Sequence, residues 1–215
     1  MSKIFVDEIT GFEGTETGAP ITLSGDTATI GSGATIGSGV TLPPGMVIEQ
    51  FLLPCNGSSI TVQSGTYTSE NVTAEQLLDN THTKIGGSLI SYTPPTGSQI
   101  VIYEFGFSYA YTDASSIGHF GLHLDSDEVS DHRTTIESQG SSYPVHRVII
   151  RYPFMIGGTA DADSGRVASW TSAKTIQVKG REYSGAYEGR VHVTGHWDGG
   201  ASVFTVPVVG ITTIA

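Results

Sequence analysis

The sequence has little with which to build helical surfaces or to hold a polyanion. Only 14% of its 215 residues are charged, and Lys plus Arg number 10 against 21 Asp plus Glu. Exposed helices are commonly rich in Glu, Lys and Arg, so this scarcity points to β-structure with tight turns. The 28 glycines and the abundance of Ser and Thr agree with that. The formal net charge is -11 and no basic run occurs, which argues against a nucleic-acid partner. There is one cysteine, Cys55, so an intrachain disulfide is excluded, and in FLLPCNG it reads as a small buried hydrophobe. No run approaches the ~20 apolar residues of a membrane span. The opening MSKIFVDEITG has neither a basic n-region nor an apolar h-region, so a chain made in a cytoplasm and not inserted into a membrane is expected.

Also missing are the short signatures of chemistry. No G-x-S-x-G, phosphate-binding Walker loop or H-E-x-x-H occurs, so no catalytic residue, no cofactor and no enzymatic role is expected. Of the seven histidines, His192 and His196 in VHVTGHWD stand four apart. On a strand that is one face but about 13 Å of separation, too far for two ligands of one metal. His123 and Asp125 in HLD share a face and meet at one ion only if the strand bulges or another chain contributes. DADSG (161–165) has the opening of an oxygen-lined calcium loop without its later acidic positions, and reads as a turn. DSDEVSD (125–131) is acidic enough to collect a divalent cation and equally fits a solvated loop. No metal is expected.

What is present falls into three parts. Residues 1–19 hold an alternating segment, KIFVDEI, and a polar tract. Residues 20–45 hold a repeat, DTATIGSGATIGSGVTLPPG. In it Ala28, Ala34 and Val40 recur every six residues, and Ile30, Ile36 and Leu42 follow each two positions later. Two apart on a strand is the same face, so each unit offers a small and a larger aliphatic group and then a Gly-rich turn. That is the pattern of a hexapeptide β-helix. Three units make at most one coil, too little to bury a core alone. Three chains wound together as a homotrimeric stem solve this. A flexible linker shares the composition but has no reason to keep an aliphatic group at every sixth position.

Residues 46–215 read as strands separated by turns: 47–53, 58–62, 84–92, 99–112, 118–125, 146–156, 174–183, 188–198 and 202–214. Only TAEQLLDNT (73–81) has helical character. The expected fold is all-β, a C-terminal antiparallel jelly-roll-like sandwich preceded by the β-helical stem.

Three segments carry a family resemblance. They are the start MSKIFVDEITG with GVTLPPGMVIE, the strand–turn–strand GGSLISYTPPTGSQIVIYEFGFSY, and the closing WTSAKTIQVKGR and SVFTVPVVGITTIA. With them the chain resembles small fibre or appendage proteins of the virions of tailed bacteriophages, particularly marine and cyanobacterial ones. The resemblance implies a homotrimer in a virion, with an attachment segment at 1–19, a stem at 20–45 and a sandwich head at 46–215. Another virion protein is then the partner of the N-terminal segment, through Ile4, Phe5, Val6 and Ile9. A short terminal strand with nothing local to pair with is suited to adding to another sheet; a frayed terminus or the first strand of the stem are the other readings. Two functions follow. The head recognises a host surface glycan, with Tyr143, Trp170, Tyr183, Tyr187 and Trp197 as candidates for stacking on sugar rings, or the protein is a capsid decoration or head fibre with a purely architectural role. For each of those aromatics taken singly, core or rim packing is the favoured reading.

Overall fold

The computed structural model describes residues 8–9, 21–24, 27–30, 44–111, 115–139, 145–185, 188–195 and 203–215. Among them every regular element is a strand, and every ladder between strands is antiparallel. The chain divides into two units, Met1–Thr41 and Leu42–Ala215.

The first unit holds β1 (Glu8–Ile9), β2 (Ile21–Ser24) and β3 (Thr27–Ile30), a three-stranded sheet in that order. The end of KIFVDEI therefore does have a local partner, because Ile9 pairs with Ile21. The first repeat unit, with Ala28 and Ile30, lies on β3 and pairs with β2. Ile4, Phe5, Val6, Ala34, Ile36, Val40 and Leu42 lie outside the described residues.

The second unit begins with β4 (Val47–Pro54), then a hairpin of β5 (Ser59–Val62) and β6 (Gly65–Thr68). Three short strands follow, β7 (Gln76–Leu78), β8 (Thr83–Lys84) and β9 (Ile90–Tyr92). Four long ones come next: β10 (Ile100–Tyr111), β11 (Ser115–Leu124), β12 (Asp127–Gln139) and β13 (Val145–Met155). The rest is β14 (Lys174–Glu182), β15 (Gly189–Val191), β16 (Val193–Thr194), β17 (Val203–Phe204) and β18 (Val208–Ile214). One sheet runs β13-β10-β18-β4, with β15 and β7 continuing from the far end of β10. The other runs β12-β11-β14, with β8 and β9 both on the free edge of β14.

β10 shows why the two sheets stack. Its sequence IVIYEFGFSYAY sends Val101, Tyr103, Phe105, Phe107 and Tyr109 to one face, and all five are fully buried. Opposite them β11 contributes Phe120, Leu122 and Leu124, and β14 contributes Ile176 and Val178. Phe107 and Phe120 meet edge to face at 5.1 Å. Each such ring is worth roughly 1.5–3 kcal/mol in burial. The buried tyrosines also need partners for their hydroxyls. Tyr103 donates to the Ser88 carbonyl at 2.6 Å, and Tyr92 donates to Glu49 Oε1 at 2.8 Å.

Several expected elements differ. TAEQLLDNT is not helical: Gln76–Leu78 is strand β7, because Leu78 is buried and its backbone pairs with Gly189. The span 84–92 breaks at Gly87, whose φ of +81° suits glycine and where a Cβ would lie 2.9 Å from Cys55 Sγ. The span 188–198 breaks at His192, which has φ 67°. The acidic stretch 125–131 is the β11–β12 turn and the start of β12. Asp125 takes the left-handed turn position at φ 55°, its carboxylate accepting from Lys174 Nζ and the Thr175 N–H, both at 2.8 Å.

Cys55 is fully buried, its thiol donating to the Gly87 carbonyl at 3.2 Å. Burial, with Glu70 adding to it, pushes the thiol up to about 12. Only the thiolate reacts with maleimides or aromatic disulfides. The folded protein is therefore expected to resist Ellman's reagent at pH 8 and to react fully in denaturant. Rapid labelling of the native protein would contradict this burial.

Candidate functional site

The outer face of the second sheet gathers cations and histidines that are far apart in sequence. Strand register sets them in rows. Arg181, His119 and Thr135 form one, and Lys84, Lys179, Gly121 and Arg133 the next. Gln177, His123 and Glu128 form a third. Gly121 sits in the middle with no Cβ, and side chains rise around it. A Cβ there would come within 3.0 Å of Glu128 Oε1. The result is a pit of about 200 Å³ that His82, just before β8, also lines.

The polar atoms of this pit are unevenly satisfied. Glu128 is held in a fork by Arg133, Nε to Oε1 at 2.9 Å and Nη2 to Oε2 at 2.8 Å. That fork holds the Glu128 carboxyl below its ordinary range. Lys84 pairs with Glu70. Among the described residues no ion pair reaches Lys179 or Arg181. His119 Nδ1 lies 3.1 Å from Thr135 Oγ1, but its Nε2 is shielded from solvent without a partner. Arg181 Nε and His123 Nδ1 are in the same condition. Burial lowers the pKa of His82, and the positive charge of Arg181 lowers it further. Burial also lowers His123, with Lys179 next.

Of the aromatic candidates, Tyr183 stands at this pit. The residue is 60% exposed and its ring lies 6.3 Å from that of His119. Trp170 is corrected to a core residue: it is 4% exposed, donates Nε1–H to the Tyr92 carbonyl at 3.0 Å and meets Phe154 edge to face. Tyr143, Tyr187 and Trp197 lie outside the described residues, as does His196.

The other readings of the sequence sort clearly. Asp125 is engaged at its turn and shares nothing with His123. In DADSG the Asp161 carboxylate accepts from the Asp163 N–H at 3.1 Å and the Ser164 hydroxyl at 2.8 Å, closing a turn. Among the described residues no group of three or more His, Cys, Asp or Glu is placed to hold a metal ion. His192 is buried beside Phe107, its ring against the Gly86 backbone.

Gly121, Arg133, Lys179 and Arg181 were not among the residues singled out from sequence. The signal was period-two: HFGLH (119–123) places His, Gly and His on one face, and KGR (179–181) places two cations on one face. Chemically the pit is an array of donors, and of imidazoles that become donors on protonation, with its one carboxylate already forked to a guanidinium.

No protein-family model matches the chain, and comparison with curated proteins finds no similar one.

Proposed function

We propose that the protein is a non-enzymatic structural protein of a bacteriophage virion. It is a homotrimeric fibre or knob, attached through its N-terminal segment and presenting the β-sandwich head to a host surface. The order β4-β18-β10-β13 facing β9-β14-β11-β12 supports reading the head as a jelly roll.

The observation that carries self-association is the outer face of the first sheet, which has the opposite character to the pit. Across it run Pro54, Val208, Gly106 and Ile149 in one row, and Val47, Ile214, Ile100 and Met155 in another. Leu52 is 55% and Ile149 62% exposed. Charge enters this face between those rows as the pair Arg151–Glu104 at 3.5 Å. Covering such groups gains roughly 1.5–3 kcal/mol for each large aliphatic one. A contact here also brings few like charges together in a protein of net charge -11. The six-residue aliphatic repeat of the sequence, Ala28, Ile30, Ala34, Ile36, Val40 and Leu42, is a second reason for proposing a trimer. A donor-lined pit with an exposed tyrosine at its rim favours a head that binds over one that is only architectural.

Light scattering after size exclusion tests the reading. The full chain is expected to be a trimer. The pair Leu52→Glu and Ile149→Glu, and separately Ile30→Asp with Ile36→Asp, are each expected to loosen it while leaving the β-signature of the head. A monomeric full chain at micromolar concentration would sink the proposal.

A further inference from the structure

The strongest unassigned feature is the pit around Gly121, and we infer that it binds the acid group of a saccharide, a carboxylate or sulfate, with the sugar ring lying against Tyr183. This deepens the reading of the head as a binding module and rests on it.

Charge comes first. Around Gly121 one carboxylate, Glu128, faces three cations, Arg133, Lys179 and Arg181, and the fork to Arg133 already satisfies it. That leaves Lys179 and Arg181 as cations without an ion pair among the described residues, on a chain that is acidic overall. A small cationic pit in an acidic surface selects a single compact anion over a polymer of phosphates, whose length would run onto repelling ground.

Desolvation comes second. Arg181 Nε and His119 Nε2 are shut away from water with no partner. A shielded donor without an acceptor is costly; an oxyanion entering the pit removes that cost for Arg181 Nε, and for His119 in the tautomer that carries the proton on Nε2. Planar, two-oxygen groups suit a guanidinium best. Shape comes third. Tyr183 follows Arg181 by two residues, so it projects from the same face at the rim, largely exposed. A flat ring beside an oxyanion site is the arrangement that takes the apolar face of a pyranose while its acid group reaches inward.

Lining the pit are His82, His119 on β11, Glu128 and Arg133 on β12 and Arg181 on β14; the strand rows set Lys84 with its partner Glu70, His123 and Lys179 beside them, and Glu137 lies one row beyond Thr135. Burial lowers the pKa of His82 and His123, and a nearby anion favours their protonated forms, so binding tightens as pH falls toward 5.5.

Calorimetric titration of the full chain tests this, with a glucuronate-containing disaccharide, its uncharged glucose counterpart and inorganic sulfate as probes. The acidic sugar is expected to bind and the neutral one not to. Arg181→Gln is expected to weaken the acidic sugar by about tenfold or more, and Lys179→Gln, a second variant against misfolding, to weaken it as well. Tyr183→Ala is expected to weaken the acidic sugar by about fivefold and to leave sulfate unchanged. Equal binding of the neutral sugar would overturn the proposal. So would sulfate binding as tightly as the sugar with no effect of Tyr183→Ala, which would mark an adventitious ion only. No binding of any probe would overturn it too. A trimer that fails to bind overturns this inference and leaves the fibre reading standing; a monomer that binds does the reverse.

Discussion

Lowering the pH from 7 to 4 is expected to remove about 3 kcal/mol of folding stability through His192 alone. The residue is fully buried against Phe107, and burial brings its pKa down from 6.5 to about 4, the Gly86 backbone opposing this only in part. The unfolded chain therefore binds a proton near pH 6.5 that the folded protein refuses until about 4. Between those values the unfolded state carries more protons, so stability falls as pH falls and levels off below the lower one. His82, His123 and His132, all lowered by burial, add in the same direction. Urea unfolding at a series of pH values checks this. His192→Asn removes the titration and keeps a residue that tolerates the left-handed φ of 67°, so its stability should vary less across the window. A wild-type stability that stays flat from pH 7 to 4.5 would contradict a neutral buried imidazole.

Phe120→Ala is expected to destabilise the second unit by about 3–5 kcal/mol. Phe120 is 2% exposed and meets Phe107 at 5.1 Å and Tyr109 at 5.5 Å, both edge to face. Two glycines on the same inner face make its place: a Cβ at Gly118 or Gly180 would come within 3.0 or 2.9 Å of its ring. The ring is thus the knob that locks β11 to β14, and truncating it leaves a cavity that glycines cannot fill. Gly180→Ala attacks the same joint from the other side, its Cβ 2.8 Å from Ile85 Cδ1, with a cost of about 1–3 kcal/mol. Denaturant midpoints of the two variants measure both. A loss below 1 kcal/mol for Phe120→Ala would mean the sheets do not pack through this ring. Because His119 and Gly121 flank Phe120 on the opposite face, the variants should also weaken any ligand of the pit.

The parts of this molecule that a reader finds in the sequence are those whose burial is written locally. From Tyr103 onward β10 alternates large apolar and small or polar groups, and β13 and β14 do nearly so, which is why their spans were expected close to where they lie. β12 was missed because DEVSDHRTTIESQ carries Val129 and Ile136 as its only aliphatic groups; it is an edge strand, held by pairing with β11 more than by burial. TAEQLLDNT misled in the other direction. Two adjacent leucines read as helical, whereas the burial of Leu78 and its pairing to β15 decide for a strand. The pit was the least legible feature, since His82, His119, Glu128 and Arg181 become neighbours only through a register that no local pattern specifies. Trp170 looked available because it falls near a turn segment, yet its indole is buried in the core.

In the second unit the two ends of the chain segment meet. The Gly45 N–H donates to the Ala215 carbonyl at 2.8 Å, and the Ala215 N–H donates to the Met46 carbonyl at 2.9 Å. The first and last strands of the sandwich thus open at one point, about as far apart as two neighbouring strands. A domain with that geometry can be spliced into a surface loop of an unrelated carrier through two short linkers, leaving the carrier's own termini untouched. It can also be permuted, its ends joined and a new start opened in a distant turn, which would display the pit at any chosen position on a scaffold.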